Sequence, residues 1–280
     1  MASRLVGAAC LSVATGCTLL VSTSGLSGEA PAPSGDGGMA DVTTDPVDAS
    51  TSDAKSDGEA GAGGLDCTGT GVVVCDDFER SAPEGPAWDS AETSSDGKVE
   101  IASDATRKSR VLRATLSGAS ASGRAALERA TGKTATSRVR YAFRLNATGN
   151  VAEASGAQVN RIGIEKGSDF WNVYVYVSQQ GIALAEQSFP NGNGGAGTFD
   201  QTPIPGLEQG GGWRSVEIVI AFGAPAQLSV SIDGAIVLTK GSATAIPAGG
   251  SVRAIAGIHY AGENHPKAEV LVDDCVLTVQ

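Results

Sequence analysis

The stretch Gly211-Gly-Trp-Arg-Ser-Val-Glu-Ile-Val-Ile-Ala-Phe-Gly-Ala-Pro-Ala-Gln-Leu-Ser-Val-Ser-Ile-Asp-Gly-Ala-Ile-Val-Leu-Thr239 decides the fold class of this chain. Apolar residues recur there at every second position, which predicts strands with one buried face. The turns fall at Gly223-Ala-Pro225 and at Asp233-Gly234, a dipeptide suited to a two-residue hairpin. Three strands are therefore predicted, marked by Trp213, Val216, Ile218 and Ile220, by Leu228, Val230 and Ile232, and by Ile236 and Leu238.

The same alternation of apolar and polar residues extends over most of the chain beyond residue 66. Short alternating segments separated by turn residues recur from Val72 to Val279, and we find no sustained period of 3.6 residues. Many short strands close most readily as two sheets that bury one face each. The sequence therefore predicts an all-β fold, a two-sheet antiparallel jelly-roll sandwich over residues 66–280. Within it, the long segment from Gln187 to Gly212 is expected to be a loop.

The net charge of −11 is concentrated near the N-terminus. Residues 1–65 contain eight of the 31 acidic residues but only two of the 20 basic ones. An acidic chain of this kind is not expected to bind nucleic acid in general.

The first residues have the pattern of an export signal. Arg4 precedes the apolar run Leu5–Ala14, which is too short to span a bilayer as a helix. The run ends at Ala14-Thr15-Gly16-Cys17, which resembles the lipobox of bacterial lipoproteins, with Ala14 where Leu is usual. The resemblance implies that residues 1–16 are removed, that Cys17 is lipidated, and that the protein is held at the outer membrane or cell surface. A secretory signal with an incidental cysteine is the alternative.

Residues 17–65 are expected to be a disordered tether. They are rich in Gly, Ser, Asp, Ala and Thr, and after Leu26 they contain almost no large apolar residue. Such a segment buries too little apolar surface to offset its ordering entropy.

Three cysteines remain beyond the signal and the lipobox. A disulfide between Cys67 and Cys75 would close a short Thr-Gly-rich turn, whereas Cys75 with Cys275 would join the first strand to the last. Exported proteins permit either bond, and we favour Cys67–Cys75.

The order of landmarks resembles the concanavalin A-like lectin/glucanase superfamily, particularly its laminin-G-like members. The opening strand ends in Cys75-Asp-Asp-Phe-Glu-Arg80, Trp88 follows, and a Gly-Trp-Arg-x-Val-x-Ile segment starts at Gly212. The chain closes with Val270-Leu-Val-Asp-Asp-Cys-Val-Leu277. The resemblance implies that the first and last strands lie side by side. It also implies that one sheet is concave and binds glycans or proteins, or carries glycosidase or lyase chemistry.

Two sets of residues are candidate ligand contacts. In Trp171-Asn-Val-Tyr-Val-Tyr-Val177 the apolar residues share one face, so that Asn172, Tyr174 and Tyr176 share the other, where tyrosine rings suit sugars. The alternative is a cross-strand aromatic pair that only stiffens the sheet.

The second set is basic. Residues 105–144 contain ten bases and a single acid, and on one strand Arg138, Arg140 and Arg144 project from the non-core face. Guanidinium groups bind carboxylates bidentately, so an acidic polysaccharide is a plausible partner. The alternative is a solvated face that balances acids elsewhere.

Five acidic residues near the two chain-terminal strands suggest a structural calcium site. Asp77 and Glu79 could meet Asp273 if those strands pair, together with the neighbouring Asp76 and Asp274. Calcium takes six to eight oxygen ligands. The alternative is that these carboxylates lie in solvent.

No catalytic residues are assigned. The paired carboxylates on one strand that a retaining glucanase requires are absent from the sequence. The leading hypothesis is therefore a lipid-anchored, non-catalytic module for carbohydrate binding or adhesion. The alternatives are a polysaccharide lyase or hydrolase with a divergent site, for which Tyr174, Tyr176 and His259 are candidates, and a structural module of the cell envelope.

Overall fold

The computed structural model describes residues 65–118, 122–147, 156–192, 197–262, 265 and 267–280. Cys17 and the predicted signal and tether lie outside the described residues, apart from Leu65. The described part of the chain has no helix with the length and apolarity that crossing a bilayer requires.

Fifteen strands make up the described structure. They are β1 Val72–Asp76, β2 Ser90–Thr93, β3 Gly97–Asp104, β4 Ser109–Leu116, β5 Gly123–Thr134, β6 Arg138–Asn146, β7 Ala157–Lys166, β8 Asp169–Ser178, β9 Gly181–Phe189, β10 Thr198–Pro203, β11 Arg214–Ala221, β12 Gln227–Ile232, β13 Ala235–Gly241, β14 Ser251–Ala261 and β15 Ala268–Val279.

The strands form two antiparallel sheets, as predicted. Sheet A has the order β13-β12-β11-β6-β15-β4-β3, with β1 also paired to β15, and sheet B has the order β10-β9-β8-β7-β14-β5-β2. Alternate side chains of both sheets fill one apolar core between them. Trp171, Val173, Val175 and Val177 all point into this core, which confirms the pattern expected for that strand.

Strand β15 has two partners in succession on the same side. Its residues Ala268–Val272 pair with β4, and its later residues pair with β1. The first and last strands therefore lie side by side. The change of partner occurs at a β-bulge at Asp273 and Asp274, where Asp274 has a φ of 50°.

Residues 211–239, which decide the fold class, form the strands β11, β12 and β13. Asp233 and Gly234 connect β12 to β13 with φ values of 51° and 83°, the left-handed conformation that a tight two-residue hairpin requires. Trp213 lies just before β11 and donates from Nε1 to Asp104 at 3.3 Å.

Two short strands were not predicted. The expected loop from Gln187 to Gly212 contains β10, which pairs with β9 at the edge of sheet B. Strand β2 closes the other edge by pairing with β5. Both are polar edge strands, and β10 ends in Pro203; such strands lack the alternation that marks a half-buried strand.

A buried charge cluster joins the two sheets at one edge. The carboxylate of Glu186 on β9 is 1% exposed and accepts from Lys240 on β13 at 2.7 Å. Lys240 also binds Asp200 on β10, and Ser242 binds Glu186. Each charge thereby has a hydrogen-bonding partner, without which its burial would be costly.

Gly257 on β14 is a position where we expect even alanine to be strongly destabilising. Its φ is +101°, and an added Cβ would lie 2.7 Å from the Ala125 carbonyl oxygen and 3.2 Å from the Ala114 Cβ. At Gly181 the φ is +119°, but no atom lies within 4 Å of the added Cβ. Gly181→Ala should therefore cost only the backbone strain, about 1–3 kcal/mol, and Gly257→Ala at least about 2 kcal/mol more. Urea unfolding of both variants measures the difference, and equal losses would contradict the packing argument.

Candidate functional site

A β-bulge in the middle of sheet B sets the position of the candidate site. Asn160 on β7 is the extra residue between Val159 and Arg161 relative to β8, and its φ is 45°. Its Oδ1 accepts from the Gly257 N–H of β14 at 2.8 Å. The bulge shifts the alternation, so that Val159 and Ile162 both enter the core and Arg161 points to the other face.

Four polar side chains gather on this face, the outer face of sheet B. We call Arg161, Asn172, Tyr174 and His259 the outer-face cluster. Register places Arg161 directly opposite Tyr174, and Asn172 opposite Gly163. All four are buried, with exposures of 6%, 2%, 0% and 9% respectively.

Arg161 and His259 are in direct contact. Arg161 Nη1 lies 2.5 Å from His259 Nε2. Because a guanidinium can only donate, Nε2 must be the acceptor, and the proton of the neutral ring must sit on Nδ1. Burial, followed by the charges of Arg161, Arg124 and Arg253, lowers the pKa of His259 to about 2, so the ring is neutral at physiological pH.

Arg161 has no carboxylate within ion-pair distance among the described residues, unlike the arginines around it. Arg253 pairs with Glu128 and with Glu165, and Arg124 pairs with Glu92. The guanidinium of Arg161 instead lies over the ring of Phe170, 5.2 Å from the centroid. Burial lowers the pKa of Arg161 to about 10, which still leaves it charged at neutral pH. The buried guanidinium therefore makes no ion pair in the described structure, although the carboxylates of Glu128 and Glu165 favour its charge from beyond ion-pair distance.

Several polar atoms of the cluster have no hydrogen-bond partner within the part of the chain that the structure describes. They are Arg161 Nε, His259 Nδ1 and Asn172 Oδ1. Two of them are donors and one is an acceptor, given the tautomer of His259. Unpaired buried polar groups cost about 1–3 kcal/mol each, so a group that both accepts and donates hydrogen bonds would stabilise this set, provided that the side chains covering it move aside.

Gly163 on β7 lies beside these atoms. A Cβ added there would lie 3.3 Å from Asn172 Oδ1 and 3.7 Å from Arg161 Nη2. Glycine at this position therefore allows β7 to pack closely against Asn172, since even a methyl group would be in tight contact with that amide oxygen.

The polar side chains of β8 face away from the core, as the sequence predicted, but two of them are more buried than expected. Asn172 and Tyr174 are covered rather than presented at the surface. Burial raises the pKa of the Tyr174 hydroxyl well above its usual value, so it remains protonated. Tyr176 is partly exposed, and its hydroxyl accepts from the Gly156 N–H at 3.0 Å.

The predicted ligand residues lie on two opposite faces, so they do not form one site. Arg138, Arg140 and Arg144 belong to β6 in sheet A, whereas His259 and the tyrosines belong to sheet B. Arg140 pairs with Glu217 across the sheet, and Arg144 with Asp274. Opposite charges thus neutralise most of this basic strand, as the alternative interpretation expected.

The acidic residues do not assemble into a calcium site in the described structure. Among the described residues, no group of three or more His, Cys, Asp or Glu side chains could hold a metal ion. Asp273 accepts from Arg107 at 2.8 Å, and Glu79 accepts from the Arg110 N–H at 2.9 Å. Asp77 accepts from the Glu79 N–H at 3.1 Å. These carboxylates are occupied by donors of the protein itself.

The cysteines adopt the favoured pairing. Cys67 and Cys75 form a disulfide with their Cα atoms 5.7 Å apart. Cys275 is a free, buried thiol that contacts the Tyr141 hydroxyl at 3.7 Å.

Arg161, the central residue of the cluster, was not predicted from the sequence. Strict alternation cannot place both Val159 and Ile162 in the core, since they are three residues apart. This odd spacing of two apolar residues was the feature of the sequence from which the bulge, and the outward direction of Arg161, could have been predicted.

Comparisons with known proteins identify relatives of the fold only. No protein family and no curated protein matches the sequence. An endo-β-1,4-glucuronan lyase from the fungus Trichoderma reesei has a similar structure, with a TM-score of 0.55 and 14% identity over 71% of this chain and 94% of that one. The alginate lyase Aly36B has a TM-score of 0.50 and 12% identity over 73% of this chain and 96% of that one. At these identities the similarity concerns the sandwich, not the site.

His259 should make the protein less stable in mild acid. Its pKa is about 2 when folded, against about 6.5 when unfolded, so the stability it contributes is present above pH 6.5 and is lost as pH falls. Between pH 7 and 5 we expect a loss of about 2 kcal/mol from this group. His259→Gln should remove that loss, as measured by chemical unfolding at both values of pH.

The pH dependence of stability must be compared between His259→Gln and the wild type. Burial raises the pKa of Asp273 to about 6, so this carboxyl acts in the opposite direction: its stabilising contribution is lost as pH rises from about 4 through about 6. Asp273 is present in both proteins and cancels in the difference. An identical pH dependence of both proteins would contradict the assignment to His259.

Proposed function

We propose that the outer face of sheet B binds an acidic polysaccharide through the carboxylates of its sugars. The observation that carries this proposal is the buried guanidinium of Arg161, which makes no ion pair among the described residues because the nearby carboxylates of Glu128 and Glu165 pair with Arg253. A cation taken out of water without a counter-ion costs several kcal/mol. A ligand carboxylate would supply the missing charge and can accept two parallel hydrogen bonds.

The unpaired atoms favour a sugar acid over a simple inorganic anion. Arg161 Nε and His259 Nδ1 can donate to a carboxylate, and Asn172 Oδ1 can accept from a hydroxyl. An inorganic sulfate at neutral pH offers acceptors only. A uronic acid offers both functions within one ring.

The fold supports the same class of ligand by analogy. The two structurally similar proteins reported above are named as lyases of glucuronan and of alginate. We propose that the domain belongs to the concanavalin A-like class, and the paired terminal strands and the two-sheet order support this. Similarity of fold supports a glycan partner but assigns no role to any residue.

Binding fits the geometry better than cleavage does. Elimination requires a base with a free lone pair to remove a ring proton. The acceptor nitrogen of His259 is already occupied by Arg161, and Tyr174 keeps its proton. The cluster therefore suits recognition of the carboxylate, and we assign no catalytic step to it.

Replacing Arg161 should abolish most of the affinity. We expect Arg161→Gln to weaken binding to alginate about tenfold to a hundredfold, because charge-assisted hydrogen bonds contribute about 1.5–3 kcal/mol. Isothermal titration calorimetry with the purified protein measures the effect. Wild-type binding should also weaken with added salt and should exceed binding to a neutral glucan.

The matched control is Arg138→Gln, which removes an exposed arginine from the opposite sheet. It should leave the affinity unchanged. Equal affinity of the wild type for acidic and neutral polymers would refute the proposal, as would equal losses in the two variants. Unsaturated sugar products released by the wild type would show that cleavage, not binding alone, takes place.

We also propose that the domain is displayed from a membrane through lipidated Cys17. The support is the Ala14-Thr15-Gly16-Cys17 sequence after an apolar run, together with the polar composition of residues 18–64. Several acyl chains at about 0.8 kcal/mol per buried methylene hold a protein durably, whereas one chain does not.

Cys17→Ser should release the protein from membranes. Expression of the full chain in a bacterium with fatty-acid labelling should give a labelled, membrane-bound wild type and an unlabelled, soluble variant. Cys10→Ser, which leaves the lipobox intact, is the control and should remain labelled. An unlabelled wild type would eliminate the anchor.

A further inference from the structure

Exposed aromatic side chains are concentrated on the outer face of sheet B. Among the described residues only three large hydrophobic side chains are strongly exposed: Phe199 at 52%, Tyr260 at 42% and Ile236 at 70%. Phe199 on β10 and Tyr260 on β14 belong to sheet B, whereas Ile236 on β13 belongs to sheet A. Both exposed rings thus lie on the sheet that carries Arg161.

Register shows that these rings share the face of the outer-face cluster. Tyr260 and Tyr176 both lie opposite Gln158, whose neighbours Ala157 and Val159 point into the core. Phe199 lies opposite Gln187, which in turn lies opposite Asn172. Because paired residues project to the same side, all three rings project with Arg161.

Three of the rings on this face form a continuous ridge. The Tyr174 and Tyr176 rings are 6.5 Å apart between centroids, and the Tyr176 and Phe199 rings 5.9 Å, both in edge-to-face contact. The Gly156 N–H holds the Tyr176 hydroxyl. The ridge therefore extends from the buried cluster to the exposed ring of Phe199.

The aromatic residues lie on both sides of the charge. Arg161 is on β7, which is flanked by β14 with Tyr260 and by β8 with Tyr176, and Phe199 is two strands further on. Tyr260 and Tyr176 are two strand spacings apart, about 10 Å, and the Tyr176 and Phe199 rings are 5.9 Å apart. Each sugar of a polysaccharide advances about 5 Å, close to one strand spacing, so about three sugars cover these rings.

We infer that Tyr260, Tyr176 and Phe199 are stacking platforms for successive sugar rings on either side of Arg161. The site then takes an internal stretch of an acidic polysaccharide, not a single terminal sugar. Aromatic rings suit the C–H faces of pyranoses, and the guanidinium between them suits a carboxylate. This inference rests on the proposed function and extends it to the length of chain that is recognised.

The test is the dependence of affinity on oligosaccharide length. Calorimetric titrations of the full chain with alginate oligomers of two to six sugars should show affinity that increases until about three sugars. Phe199→Ala and Tyr260→Ala should each weaken binding of the long oligomers about threefold to tenfold and leave binding of the shortest unchanged. Ile236→Ala is the matched control and should change neither.

Failure of this inference can be distinguished from failure of the proposed function. A wild type that binds no acidic oligomer overturns both. If binding depends on Arg161 but does not change with oligosaccharide length, only the stacking platforms are overturned. The same holds if both aromatic variants bind the long oligomers as tightly as the wild type does. Thermal unfolding of each variant tests whether it is folded. We expect the fold to be unaffected, because Phe199 and Tyr260 are exposed.

Discussion

The hydrogen bond from the Gly257 N–H to Asn160 Oδ1 is the constraint on which the candidate site depends. It joins β7 to β14 where β7 gains an extra residue, and it satisfies a backbone donor that the bulge would otherwise leave unpaired. The change of phase sends Arg161 to the outer face while Val159 and Ile162 remain in the core. Without the bulge, one of these apolar residues would face outward, and the guanidinium could not meet His259.

Charge balance distinguishes the two outer faces of the sandwich. On sheet A the arginines of β6 and of the β3–β4 turn are largely neutralised, as in the pairs Arg140–Glu217, Arg144–Asp274 and Arg107–Asp273. These pairs link neighbouring strands and leave little net attraction for an anion. On sheet B, Arg161 is buried and contacts a neutral imidazole instead. A local excess of arginines in the sequence therefore did not identify Arg161, the buried arginine that makes no ion pair in the described structure.

Much of the fold was predictable because its strands are buried on one face only. The alternation of Trp171–Val177 and of Val216–Ile220 reports burial directly, and Asp233-Gly234 specifies a hairpin through its backbone preference. Strands β2 and β10 escaped prediction because they are short edge strands without a regular apolar alternation. Of the candidate site, Asn172, Tyr174 and Tyr176 were placed on the correct face, but Arg161 was missed because the bulge interrupts the alternation on which the prediction relied.

The sequence by itself determined the all-β class, the polar N-terminal segment and the inward face of the central strands, because each follows from local composition or from a period of two. Only the tertiary structure decided which distant groups meet. Arg161 and His259 are 98 residues apart, and Asp273 is bound by Arg107 instead of joining Asp77 and Glu79. Strand order and bulges set these contacts, and both depend on how the two sheets pack over one core, which no local pattern encodes.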